Sequence, residues 1–182
     1  MKEIILDLYG GDNDFEQLIQ GAIDALKKNN ELQLSIVVKK ENMDLVETLT
    51  KSYDKHRINI IEAEQILTNY DNPMLAAIPG AGYTISKAFD YLANCSEKAC
   101  VLTVGSTGAA LILALSKIGL KPNATRPVLA SLLPRMDGGM LCLLDCGANL
   151  EPTSQELFNY AVLGAECISE AYNISRPKVD LL

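Results

Sequence analysis

The sequence predicts an α/β layered fold with a mainly parallel sheet and helices on both faces. Two observations carry this. Short apolar runs alternate with stretches of helical period over most of the chain. Three polar or glycine-rich motifs, at residues 7–13, 105–108 and 145–149, fall at the ends of apolar runs. In parallel sheets, ligands sit beyond such carboxyl ends. The uncharged run Val101–Val104 is expected to be the central strand.

The chain has 182 residues, is 48% hydrophobic and 21% charged, and is expected to form one domain spanning residues 1–182. Its net charge of −7 speaks against nucleic acid as a main partner, which would need a basic face. Five cysteines (Cys95, Cys100, Cys142, Cys146 and Cys167) make no paired framework. Their odd number and an N-terminus without a secretory apolar region point to a reducing, cytoplasmic setting. No Cys-x-x-Cys pair occurs and His56 is the one histidine, so no zinc site is expected. Residues 99–116 carry no charge and approach membrane-spanning length. Gly105, Ser106, Thr107 and Gly108 divide that run into strand and helix.

In chain order, Glu3–Leu8 reads as a strand and ends in Asp7-Leu8-Tyr9-Gly10-Gly11-Asp12-Asn13, a tight loop. Asn13 or Asp14 caps a helix in which Phe15, Leu18, Ile19, Ala22, Ile23 and Leu26 recur at helical spacing. Leu32–Val38 is the second strand, Asn42–Thr50 a short amphipathic helix and Ile58–Ile61 the third strand. His56, between Lys55 and Arg57, reads as an exposed loop residue, which leaves a histidine-based triad without support. Two breaks, Asp71-Asn72-Pro73 and residues 79–82, precede a helix carrying Ile85, Ala88, Phe89 and Leu92. The Val101 strand and its helix follow, closed by Gly119 and Pro122. Pro127–Leu133 and Met140–Leu144 read as strands, and the loop between them, with Asp137 and Gly138, as a hairpin or a cover over a site. Thr153 and Glu156 make a capping box for a helix to about Tyr172. Pro177–Leu182 reads as the start of a strand.

At the Gly105–Gly108 turn, a helix start offers unpaired N–H groups and partial positive charge, which suit an anion such as phosphate. Glycines allow close approach, and Ser106 and Thr107 add hydroxyl donors. The same turn reads equally as a plain helix cap. Asp12 and Asp145 either assist proton movement or brace turns. Cys146 reads as a small buried cysteine rather than a nucleophile.

Residues Asp7-x-x-Gly10-Gly11-Asp12-Asn13, Gly105-Ser106-Thr107-Gly108-Ala109, Arg126-Pro127, Asp137-Gly138-Gly139 and Asp145-x-Gly147-Ala148-Asn149 resemble the PlsX family in order and spacing. So does the helix with Phe158, Ala161 and Gly164. Members are bacterial phosphate acyltransferases that convert acyl-[acyl carrier protein] and inorganic phosphate into acyl phosphate for phospholipid synthesis. The resemblance implies a three-layer, Rossmann-like α/β/α fold and a homodimer loosely associated with the membrane. It also implies attack by a phosphate oxygen on a thioester carbonyl, with no cofactor and no metal. Asn149, Asp12 and Asp145 are the catalytic candidates. Gly10, Gly11, Asn13, Gly105, Ser106, Thr107, Gly108, Asp137, Gly138 and Gly147 are the phosphate- and substrate-binding candidates.

The chain departs from the family at three points. It matches the N-terminal half of longer members, so a homodimer or a second subunit is expected to cover its apolar surface. Ser106 stands where the family usually has Asn. Residues 76–82 carry no cation where the family usually has a basic stretch, which should weaken binding of phosphate or an acidic carrier. Two other readings follow: an acyl-phosphate-forming subunit of an amino-acid reductase complex, or a non-catalytic module that binds an acyl carrier or a partner.

Overall fold

The computed structural model describes residues 2–95, 98–122 and 124–182. They fold as two compact units, Met1–Gly119 and Leu120–Leu182.

The first unit is built on four parallel strands: β1 (Lys2–Asp7), β2 (Leu32–Lys39), β3 (Ile58–Ala63) and β4 (Ala99–Thr103), in the order β3-β2-β1-β4. Alternation of side chains assigns residues to the two faces. Leu6, Leu34, Ile36 and Val38 point to one face and meet Ile19, Ile23 and Leu26 of α1 (Phe15–Lys28) and Val46 of α2 (Met43–Thr50). Ile5 and Val37 point the other way and pack with Ala88 of α3 (Thr84–Asn94). Ile85 and Phe89 of α3 continue that layer onto Ala109 and Leu113 of α4 (Thr107–Leu113), which runs on into a π-helical turn, Ala114–Ile118. Helices thus cover both faces, the predicted three-layer arrangement.

One expectation fails. Val101–Val104 does not lie at the centre of the sheet. β4 is its edge strand, and β1 and β2 occupy the interior. Val101 faces the α3 layer, whereas Cys100 and Leu102 are exposed, Leu102 by 54%. A run without charge is compatible with a strand covered on one face only, so the absence of charge did not separate the two cases.

The second unit holds an antiparallel pair, β5 (Ala130–Pro134) and β6 (Met140–Leu144), with Ala130 opposite Leu144 and Pro134 opposite Met140. Helix α5 (Ser154–Tyr172) packs on β6. Its capping box is complete, with Thr153 and Glu156 each holding the other's backbone N–H. β5 begins three residues later than the predicted Pro127, because residues 127–129 bond to the turn after β6 instead. Pro177–Leu182 forms no strand. Val179, Leu181 and Leu182 are exposed, and apolar composition makes no strand without a ladder partner. Among the described residues, no helix is long and apolar enough to cross a membrane.

Candidate functional site

From β1 the chain adds β2 and then β3 on one side, and returns to place β4 on the other. The order therefore reverses between β1 and β4, which is where a crevice opens at the carboxyl ends of a parallel sheet. Three loops meet there backbone to backbone. A Cβ on Gly10 would lie 2.4 Å from the Leu67 carbonyl oxygen and 3.4 Å from Gly105 Cα. A Cβ on Gly11 would lie 2.5 Å from the Val104 carbonyl oxygen, and one on Gly105 2.9 Å from the Tyr9 carbonyl oxygen. Gly10 also has φ +84°, in the left-handed region. The glycines after β1 and β4 are thus required by contact between the two loops.

Beneath them lies a residue that was not among the predicted site residues. Asp7, the last residue of β1, is 1% exposed. Its Oδ2 accepts a hydrogen bond from Thr103 Oγ1 at 2.9 Å, and Thr103 Oγ1 accepts one from Gly105 N–H at 3.0 Å. Oδ1 is buried and has no hydrogen-bond partner among the described residues. Burial pushes the Asp7 carboxyl up to about 6, against smaller opposing contributions from Thr103, Thr84 and the Tyr9 backbone. Tyr9 anchors the same loop. Its ring stacks on Phe15 at 4.9 Å, and its hydroxyl oxygen accepts from Lys39 N–H and from Asn42 Nδ2. The sequence signal for Asp7 was an acid closing an apolar strand, and Thr103 had none.

The Gly105–Gly108 turn lies at this switch point. Gly105 N–H is held by Thr103, and Ser106 Oγ caps α4 by accepting from Ala109 N–H at 3.4 Å. Thr107 and Gly108 are exposed in the first turn of α4, where backbone N–H groups have no intrahelical acceptor. A Cβ on Gly108 would meet Pro73 Cβ at 3.3 Å, so the turn at Pro73–Ala77 flanks the helix start. Asp12 and Asn13 are exposed, and neither side chain is hydrogen-bonded to another described residue.

The second unit gathers the other predicted residues. Asp145 closes the loop after β6. Its Oδ1 accepts from the N–H groups of Leu129 (3.0 Å) and Ala148 (3.2 Å), and its Oδ2 from the N–H (2.6 Å) and Nδ2 (2.9 Å) of Asn149. Burial raises its pKa, but these hydrogen bonds outweigh burial and hold the carboxyl below the usual Asp value. Asn149 Nδ2 also donates to the Pro127 carbonyl at 2.9 Å. Both amide protons are then engaged, which leaves the side-chain carbonyl oxygen without a partner among the described residues. Gly147 turns this loop at φ +97°. Asp137 and Gly138 sit at the tip of the β5–β6 hairpin. There Asp137 accepts from Gly139 N–H at 3.1 Å and pairs with Arg135. Cys146 is exposed, not buried as expected, because it follows the end of β6. A groove of about 570 Å³ along α5 is lined by Lys121, Phe158, Val162 and their neighbours, and by none of the predicted residues.

A parallel sheet with glycine loops meeting at a reversal of strand order defines a Rossmann-like α/β protein. Residues 2–182 match the family described as fatty acid synthesis protein, and the chain belongs to that family. It is 30% identical over 180 residues to a phosphate acyltransferase of Clostridium novyi, covering 99% of this chain and 53% of the relative. It is 32% identical over 182 residues to one of a Nitratiruptor species, covering 100% and 53%. A phosphate acyltransferase of Vibrio cholerae is 31% identical over 179 residues, covering 98% and 52%. The chain thus spans about half the length of these relatives.

Proposed function

We propose that this chain takes part in forming acyl phosphate from acyl-[acyl carrier protein] and inorganic phosphate, for phospholipid synthesis. The observation that carries this reading is the backbone contact of the Gly10–Gly11 loop with Val104 and Gly105 at the switch point. The N–H groups of Thr107 and Gly108 and the hydroxyls of Ser106 and Thr107 bind the phosphate. Gly10, Gly11 and Gly105 hold the loops close enough for that turn to form. One phosphate oxygen attacks the thioester carbonyl carbon. The tetrahedral intermediate then collapses, the C–S bond breaks, and the carrier thiolate leaves and takes up a proton. Asp12, the exposed carboxylate beside Asn13, is suited to proton transfer, and Asn13 to orienting the ligand. Asp145, Asn149 and Gly147 shape the loop after β6, and Asp137 with Gly138 the hairpin tip.

Exposed Leu132, Leu133, Leu141 and Phe158 support association, as a homodimer or with a second chain. Sedimentation equilibrium tests this, and a monomer at high concentration contradicts it. Peripheral contact with a membrane is read out by vesicle flotation.

The activity is tested by incubating the purified chain with acyl-carrier or acyl-CoA thioester and phosphate, with and without a candidate partner chain. Acyl phosphate is trapped with hydroxylamine. Phosphate-dependent hydroxamate supports the reading. No product in any arm, together with unchanged NMR signals at Gly105–Gly108 on adding phosphate, rejects it.

A further inference from the structure

Asp7 stands directly behind the turn that the phosphate reading uses. A Cβ on Gly105 would lie 3.8 Å from Asp7 Oδ2. Thr103 Oγ1 bridges the two residues, donating to Oδ2 and accepting from Gly105 N–H. The carboxyl is 1% exposed, and its Oδ1 has no hydrogen-bond partner among the described residues. A buried carboxyl so short of donors is poorly held as an anion. The proposed reaction makes no use of it.

The charged groups nearby have partners of their own or face solvent. On the same sheet face, Glu3 of β1 accepts from Ser35, and Lys39 of β2 pairs with Glu41. β4 brings the neutral Thr103 and α3 the neutral Thr84. Further along α3, Lys87 is exposed and Asp90 pairs with Lys117. Asp12 and Glu64, in the loops after β1 and β3, are exposed. The Tyr9 hydroxyl is held by Lys39 N–H and Asn42, and Tyr83 packs with Ile85 and Phe89. The charge that changes beside Asp7 is therefore that of a ligand at the turn.

We propose that Asp7 sets the anion affinity of the Gly105–Gly108 turn: an anion on the turn and a proton on Asp7 each favour the other. The inference rests on the phosphate reading of that turn. An ionised Asp7 puts a buried negative charge behind the turn, where little solvent screens it from an incoming anion. Protonation removes that repulsion. The proton comes from solvent and goes to Oδ1, the oxygen without a partner. Oδ2 then keeps accepting from Thr103, and Thr103 from Gly105 N–H, so the turn holds its shape in both charge states. Burial pushes the free carboxyl up to about 6, which leaves it largely ionised at neutral pH and able to take up a proton when the anion arrives. The coupling is reciprocal: acid tightens anion binding by the factor by which the anion tightens proton binding.

The test uses the full chain and sulfate, which stays doubly ionised across the range in which Asp7 titrates. Carbon-13 NMR follows the Asp7 carboxyl through a pH titration, with saturating sulfate or with chloride at matched ionic strength. Sulfate should raise the Asp7 midpoint by about one pH unit. Sulfate affinity, read from the amide signals of Gly105–Gly108, should fall roughly tenfold from about pH 5 to pH 8. In Asp7→Asn it should stay constant over that range. The wild-type midpoint decides the matter even where that variant does not fold. Sulfate that shifts the turn but leaves the Asp7 midpoint unmoved overturns the coupling and leaves the phosphate reading standing. Sulfate that leaves the turn's signals unmoved at both pH values overturns both.

Discussion

The Thr103 hydroxyl donates to Asp7 Oδ2 at 2.9 Å across the β1–β4 pair, where the two residues are register partners. This bond joins the ends of the two strands whose loops meet backbone to backbone. Because the carboxyl is buried, it carries a pH signature. Its folded-state pKa of about 6 lies above the ordinary 3.8, so the folded chain holds a proton that the unfolded chain has already lost. The stabilisation is complete below pH 3.8 and is lost as pH rises through about 6. The shift corresponds to about 3 kcal/mol. Asp7→Asn has no such titration, so its stability relative to the wild type should rise by about that amount between about pH 4 and pH 7. Urea unfolding of both proteins across that range measures it, and parallel curves would refute it.

Two glycines should respond in opposite directions. Gly11→Ala puts a methyl group 2.5 Å from the Val104 carbonyl oxygen, a contact between backbones that no rotamer relieves. It should cost about 2 kcal/mol or more. Gly21 lies within α1 with nothing within 4 Å of a built Cβ. Gly21→Ala should stabilise by about 0.5–1 kcal/mol. Denaturant midpoints decide both, and equal midpoints for the two variants would contradict the loop contact.

Asp145 shows the reverse pH dependence of Asp7. Its carboxyl is held below 3.8, so its contribution is present above that pH and fades as acid protonates it. Asp145→Ala leaves the N–H groups of Leu129, Ala148 and Asn149 without their acceptor. A loss of about 2 kcal/mol is expected, with rapid amide exchange at those three positions. Protection unchanged at all three would show that Asp145 does not brace the turn.

Thr153→Ala removes the hydroxyl that accepts from Glu156 N–H at the start of α5. The expected cost is about 1 kcal/mol, with fraying seen as faster exchange in Ser154–Glu156. Thr153→Ser should restore most of it, because the cap needs only the hydroxyl.

Much of this architecture follows from local sequence. The helix from Ser154 to Tyr172 was legible from its capping box and apolar period, and the hairpin around Asp137 from its glycines. The motifs ending β1 and β4 were legible because glycines that close an apolar run mark a tight turn. The roles inside those motifs were not. Sequence offered a helix cap and an anion site equally at the Gly105–Gly108 turn, and could not tell that Gly105 N–H is held by Thr103 or that both Asn149 amide protons are engaged. Each is a contact between residues whose separation is set by three-dimensional packing or turn geometry.

By itself the sequence determined the α/β class, the sites of the loops and the net negative charge. These depend on period, composition and glycine position, all local. Only the tertiary structure decided which strand lies at the edge and which carboxyl is buried. Val101–Val104 and the β1 run both read as apolar strands, and their order in the sheet depends on which helices cover which face. Asp7 and Asp145 both read as acids after apolar strands. Among the described residues, packing left Asp7 with one side-chain hydrogen bond and an unpaired oxygen, and gave Asp145 four donors, so their carboxyls shift in opposite directions. Burial and hydrogen-bond supply are properties of the folded surroundings, which no residue carries in its own identity.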